Sequence, residues 1–176
     1  SDSTLQFLEL QMREFESQAD IDLLAKALTW YTSLRSLILN NIFRSATLNT
    51  DGVLMAIEDL GTLKMTSLAF NFLNGTATSL AIRANKRLTT LDLHGVMFTE
   101  HHHFADVLHA IKDSRLESVG IGWCQSHMCG QQLAEVMRST GISNWDIEGV
   151  HVTRDEAQEI YRIVGESRHV KNFYGP

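Results

Sequence analysis

Proline is nearly missing from this sequence: Pro176 is the one instance in 176 residues, which excludes collagen-like and proline-rich linker architectures. Eleven glycines are too few for a flexible low-complexity tract. Cysteine is also scarce. Cys124 and Cys129 cannot build a disulfide framework, so a reducing, intracellular and cytoplasmic setting is the expectation. Positive charge is in deficit, with 15 Lys plus Arg against 21 Asp plus Glu and a formal charge of −6. That is the wrong sign for a protein that grips nucleic acid through its phosphates. No apolar run approaches the roughly 20 residues of a membrane helix, so membrane insertion is not expected. The Ser1-Asp2-Ser3 start has no charged-then-apolar leader and no initiator methionine, which leaves targeting open. Hydrophobic residues at 44% and charged residues at 20% are ordinary for a folded domain. The length fits one domain over residues 1–176.

What is present is a repeat. Leu34-Arg35-Ser36-Leu37-Ile38-Leu39 and Leu88-Thr89-Thr90-Leu91-Asp92-Leu93 share the pattern L-x-x-L-x-L. Leu5/Leu8/Leu10, Met65/Leu68/Phe70, Leu116/Val119/Ile121 and Ile142/Trp145/Ile147 fit the same template, and Val170/Phe173 reads as a shortened seventh copy. Between these segments the apolar period changes from 2 to 3.6, the mark of a strand followed by an amphipathic helix. Ile21/Leu24/Ala25/Leu28, Val53/Ala56/Ile57/Leu60, Phe104/Val107/Leu108/Ile111 and Ala157/Ile160/Tyr161/Val164 predict four helices, with a shorter one around Leu133/Val136/Met137. Thr153-Arg154-Asp155-Glu156 is a capping box at the start of the last helix, and Gly165 is placed to stop it. The stretch 74–87 predicts a local distortion with only a turn or two of helix around Thr78 to Ala84.

This pattern resembles the leucine-rich-repeat family, in its ribonuclease-inhibitor-like class, over nearly the whole chain. The resemblance implies an α/β solenoid, a right-handed superhelix of about six repeats and a truncated seventh, with a parallel sheet on the concave face and helices on the convex face. The family often carries Asn at the ninth motif position. Here that position holds Arg13, Ile42, Leu73, Val96, Cys124 and Val150, so no asparagine ladder is expected and cohesion between turns rests on burial.

Alternation along each strand assigns side chains to the concave face: Phe7, Glu9 and Gln11; Ser36, Ile38 and Asn40; Ser67, Ala69 and Asn71; Thr90, Asp92 and His94; Ser118, Gly120 and Gly122; Asn144, Asp146 and Glu148; Asn172 and Tyr174. Phe72 and Trp123 follow where strands leave the sheet and are the candidate aromatic anchors. Gly95, Gly120 and Gly122 predict a thin floor beneath Trp123. Asp92, Asp146 and Glu148 are suited to a basic partner.

Two motifs raise metal chemistry. In Glu100-His101-His102-His103 consecutive side chains fan apart on a helix, leaving His102 with Asp106 as the one chelating pair, and a pair is too few. Cys124-x-x-His127-x-Cys129 offers three ligands where a structural zinc site takes four, so Cys124 is expected as a small buried hydrophobe. No metal or cofactor is expected. Phosphate-loop, dinucleotide-binding, nucleophile-elbow and zinc-protease motifs are absent. Asp92, His94 and Ser118 fall near one another in the alignment, yet an open face lacks the buried acid and oxyanion site that a triad needs.

The expected function is therefore a non-catalytic interaction module, a scaffold or adaptor whose concave patch is Phe72, Asp92, His94, Trp123, Asp146 and Glu148. The alternative is a structural or self-assembling segment of a larger protein, forming homo- or hetero-oligomers through open solenoid ends.

Overall fold

The alternation of apolar periods becomes an alternation of strands and helices in the computed structural model, which describes residues 4–11, 15, 17–43, 45–57, 60–66, 71–98, 100, 102–124 and 129–176. In chain order the elements are β1 (Phe7–Gln11), α1 (Gln18–Leu28), β2 (Ser36–Asn40), α2 (Asp51–Ala56), β3 (Thr62–Lys64), β4 (Asn71–Leu73), α3 (Gly75–Ala84), β5 (Thr90–Asp92), β6 (Val96–Phe98), α4 (His103–Lys112), β7 (Ser118–Gly120), α5 (Gly130–Ser139), β8 (Asn144–Asp146), α6 (Arg154–Glu166) and β9 (Asn172–Tyr174). Seven strands form one sheet in the order β1-β2-β3-β5-β7-β8-β9, and β4 pairs with β6 in a separate two-stranded sheet. Every pairing is parallel. The fold is thus α/β with a parallel sheet, and each helix packs on the next helix in the chain.

One register runs across the large sheet. Leu8, Leu37, Leu63, Leu91, Val119, Trp145 and Phe173 stand side by side. From Leu37 to Trp145 this row is at most 1% exposed. It meets the buried faces of the helices, including Ile21, Val53, Ile82, Leu108, Leu133 and Ile160. Each fully covered aliphatic side chain adds roughly 2 kcal/mol of transfer free energy, so this row and its helical cover are the main source of cohesion.

The third repeat departs from the expected alignment. Its strand is Thr62–Lys64, set by Leu60-x-x-Leu63-x-Met65, with Leu60, Leu63 and Met65 all buried. Leu68 and Phe70, and with them Ser67 and Ala69, lie outside the described residues. Copies now begin at Leu34, Leu60, Leu88, Leu116 and Ile142, a more even spacing. Leu60 consequently belongs to the strand motif and not to α2, which ends at Ala56.

The new spacing leaves room for a full helix, and α3 is ten residues long where only a turn or two was expected. Gly, Thr and Ser are poor helix formers. Packing overrides propensity because small side chains let α3 sit deep: a β-carbon on Gly75 would fall 2.1 Å from His103 Cβ on α4. Asn74 caps α3 by accepting from the Ala77 N–H at 3.1 Å.

The capping box at α6 is formed as expected. Thr153 N–H donates to Glu156 Oε2 at 2.8 Å, and Glu156 N–H returns to Thr153 Oγ1 at 3.3 Å. Ser17 and Asp20 form a second box on α1. Gly165 does not stop α6, which continues to Glu166 and is capped by Ser167.

At the ninth position Ile42, Val96, Cys124 and Val150 are buried, in line with cohesion by burial. Two buried asparagines add polar links between segments far apart in the sequence. Asn71 accepts from Phe43 N–H at 3.1 Å and donates to the Thr66 carbonyl at 3.1 Å. Asn85 accepts from Leu60 N–H at 2.8 Å and donates to the carbonyls of Ile57 and Ala81 at 3.0 and 2.7 Å. Asn85→Ala orphans the buried Leu60 N–H and Ile57 C=O, and should cost about 1–3 kcal/mol, read as a fall in Tm and in the denaturant midpoint.

Candidate functional site

The face of the sheet away from the helices carries the other half of each strand. Two rows run across it in register. One is Phe7, Ser36, Thr62, Thr90, Ser118, Asn144 and Asn172. The other is Glu9, Ile38, Lys64, Asp92, Gly120, Asp146 and Tyr174. Thr62 and Lys64 take the places expected for Ser67 and Ala69, while Asn71 is buried and not on this face. In the second row Gly120 stands between two aspartates. Strands lie about 4.8 Å apart, so Asp92 and Asp146 face each other across one strand that has no side chain there.

The result is a depression of about 200 Å³ lined by Lys64, Asp92, Ser118, Gly120, Asp146 and Tyr174 among others. Asp92 leans over it: a β-carbon on Gly120 would lie 2.8 Å from Asp92 Oδ1. The His94 ring covers Gly122 in the same manner, where a β-carbon would be 2.3 Å from its Cε1. His94 Nδ1 lies 4.0 Å from Asp92 Oδ1 and 3.8 Å from Asp146 Oδ2, and its backbone N–H donates to Asp92 Oδ1 at 3.1 Å. Burial pushes the Asp92 carboxyl above its ordinary pKa, against the lowering pull of that N–H, the His94 ring and Lys64; Asp146 adds to the rise.

Trp123 flanks this cluster. It is 57% exposed and adopts the left-handed conformation, φ 54°, unusual for a bulky side chain. Its N–H donates to the Glu148 carbonyl at 2.7 Å. The indole lies on Gly149, itself at φ 72°, where a β-carbon would fall 2.5 Å from Trp123 Cδ2. The glycine beneath Trp123 is therefore Gly149, whereas Gly120 and Gly122, expected under it, seat Asp92 and His94. Asp92, His94, Asp146, Glu148 and Trp123 come together. Phe72 does not join them: it is half-buried on β4, beside Met97 of β6, and lines a separate hollow with Leu48 and Asn74. A third repeat begun at Met65 would set Phe72 where its strand leaves this sheet; the strand Thr62–Lys64 takes that place instead.

Lys64 is the member that sequence reasoning missed, although Leu60-x-x-Leu63-x-Met65 was there to find it. Ser118 stands against Thr90, two positions from the pairing partner of Asp92, so the register does not align Ser118 with His94 and Asp92. Cys124 is buried and donates to the Leu93 carbonyl at 3.1 Å. Loss of solvation pushes its thiol up to about 12. Among the described residues no group of three His, Cys, Asp or Glu side chains is placed to hold a metal ion; His101 and His127 fall outside them. Among the described residues no helix is long and apolar enough to cross a membrane. A larger hollow of about 550 Å³ lies by the C-terminal ends of α5 and α6, but there Arg138 and Arg162 are already spanned by Glu159 and Glu166.

No family model and no curated protein matches the chain. Among solved structures it is similar to Leiomodin-1 Actin-Binding Site 2 (ABS2), with a TM-score of 0.52, 12% sequence identity, and coverage of 93% of this chain and 81% of that one. At that identity the likeness concerns the fold.

Two substitutions test this geometry. A carboxyl whose pKa is raised on folding destabilises the native state once ionised, and the penalty disappears as pH falls below the carboxylate range. Asp92→Asn keeps the acceptor for His94 N–H, so it should be as stable as wild type or more so near neutral pH, with the difference vanishing in acid; thermal melts across pH read this. Gly149→Ala meets the Trp123 ring at positive φ and should cost about 1–3 kcal/mol. Gly141→Ala, with nothing within 4 Å of the added carbon, should melt close to wild type.

Proposed function

We propose that the chain is a leucine-rich-repeat solenoid of the ribonuclease-inhibitor-like class and serves as a non-catalytic interaction module that docks a protein on the open face of its sheet. The observation carrying this reading is the arrangement of strands: seven in chain order, one register, and one face without a covering element among the described residues. Parallel sheets are ordinarily covered on both faces, and a face left bare is a surface available to another molecule. Trp123 supplies a rigid exposed aromatic, and Asp92, Asp146 and Glu148 supply charge suited to a basic partner. The depression over Gly120 gives the patch relief.

One similar solved structure is named as an actin-binding site, which makes actin the first bait to try, by co-sedimentation. Affinity capture with wild type and with Trp123→Ala plus Asp146→Lys tests the face itself. The double variant should lose at least tenfold in affinity for the captured partner, the range for removing an aromatic anchor and reversing a charge. Retention of every partner at wild-type affinity would remove this face from consideration.

A second reading, assembly through the edge strands, draws on one observation. Leu8 and Leu10 of β1 and Phe173 of β9 are only partly buried, whereas Leu37, Leu39, Leu63 and Leu91 are fully covered. Light scattering separates the readings: mass that climbs with concentration supports assembly, and a constant monomer mass supports the docking module.

A further inference from the structure

We infer that the depression over Gly120 receives one cationic side chain, lysine or arginine, from the docked protein, and that His94 competes with it for the same two carboxylates. The inference rests on the docking reading above and specifies the partner chemistry at its centre. Three observations lead to it. Gly120 carries no side chain between Asp92 and Asp146, and beside the Asp92 carboxylate that leans over it there remains an open depression of about 200 Å³ that the end of a long, slender side chain can enter. Ser118, Asn144 and Asn172 border the same hollow and offer neutral acceptors around the two charges. His94 Nδ1 already lies within 4.0 Å of both carboxylates, so a nitrogen of the chain itself marks where a positive charge would sit.

The charged groups around His94 come from several elements: Lys64 from β3, Asp92 at the end of β5, Asp146 at the end of β8 and Glu148 just after it, with Tyr174 of β9 on the border of the hollow. β7 contributes Ser118, Gly120 and Gly122, none of them titratable. With a neutral imidazole the set has two negative charges in excess, and with an imidazolium it has one. Protonated His94 therefore pairs with Asp92 and Asp146 in place of the incoming cation. Acid weakens the site, through the imidazolium and through Asp92, whose carboxyl burial holds above its ordinary range.

The test uses ¹⁵N-labelled protein titrated with blocked arginine, Nα-acetyl-arginine methylamide, and with its neutral isostere, Nα-acetyl-citrulline methylamide, at about pH 7.5 and about pH 5.5, either side of the ordinary imidazole range. The arginine probe should shift the amides of Ser118, Gly120 and Asn144 at the higher pH. Its affinity should drop about fivefold at the lower pH, the scale of one surface charge, and citrulline should shift none of them. His94→Gln should keep the binding and reduce its pH dependence to the share that Asp92 contributes, whereas Asp92→Asn with Asp146→Asn should abolish the binding with the amide spectrum still dispersed. Shifts scattered over the acidic surface, or undiminished in the double Asn variant, overturn the site. An unchanged pH dependence in His94→Gln overturns the part given to His94. If Trp123→Ala still releases a captured partner while the arginine probe fails at Gly120, this inference falls and the docking reading stands; if Trp123→Ala plus Asp146→Lys holds every partner, the docking reading falls and the partner's cation falls with it, even where the free probe binds at Gly120.

Discussion

Burial of one row of side chains governs this structure. Leu37, Leu63, Leu91, Val119 and Trp145 must stand side by side, because each is covered by its neighbours in adjacent strands as much as by the helix above it. Side chains alternate with period 2, so fixing that row inward fixes the next row outward. Glu9, Ile38, Lys64, Asp92, Gly120, Asp146 and Tyr174 owe their alignment on the open face to the inward row of neighbours that precede them in each strand. The surface chemistry is in this sense a consequence of the core.

The same logic explains what could be read in the amino acids and what could not. Strands beginning near Leu34, Leu88, Leu116 and Ile142 were legible because their leucine spacing is local and unambiguous, and the capping box at Thr153 is equally local. The third repeat was harder. Met65 both closes the motif Leu60-x-x-Leu63-x-Met65 and opens a competing match to Leu68 and Phe70, and the two alignments differ by five residues. Choosing the second shortened the space before Leu88, hid α3 behind its weak helix formers, moved Asn71 and Phe72 to the open face, and concealed Lys64. What decides between them is long-range: Asn85 ties Leu60 into place, and a short-range pattern does not record that contact. The evenness of the repeat spacing was the one signal in the sequence that pointed to the right choice.

Of the site, the identities of Asp92, His94, Trp123, Asp146 and Glu148 followed from alternation, but their mutual arrangement did not. Glycine is what arranges them. Gly120, Gly122 and Gly149 each provide a seat into which a side chain from the neighbouring strand, or from the residues just after it, leans, Asp92, His94 and Trp123 respectively. A sequence displays the glycine and the side chain some 26 to 28 residues apart, with nothing to mark the pairing. The site also holds features that stability alone does not favour: a carboxyl held above its ordinary pKa by burial, and a tryptophan at positive φ.

The row alignment is open to a direct measurement, residue-resolved native-state hydrogen exchange. If the inward row is the constraint proposed, the amides of residues 62–64 exchange as slowly as those of 90–92 and 118–120, and all three groups lose protection together when Leu63 is truncated to Ala. Fast exchange at 62–64 alongside slow exchange at 90–92 would contradict it, and the outward row built on that alignment would fall with it.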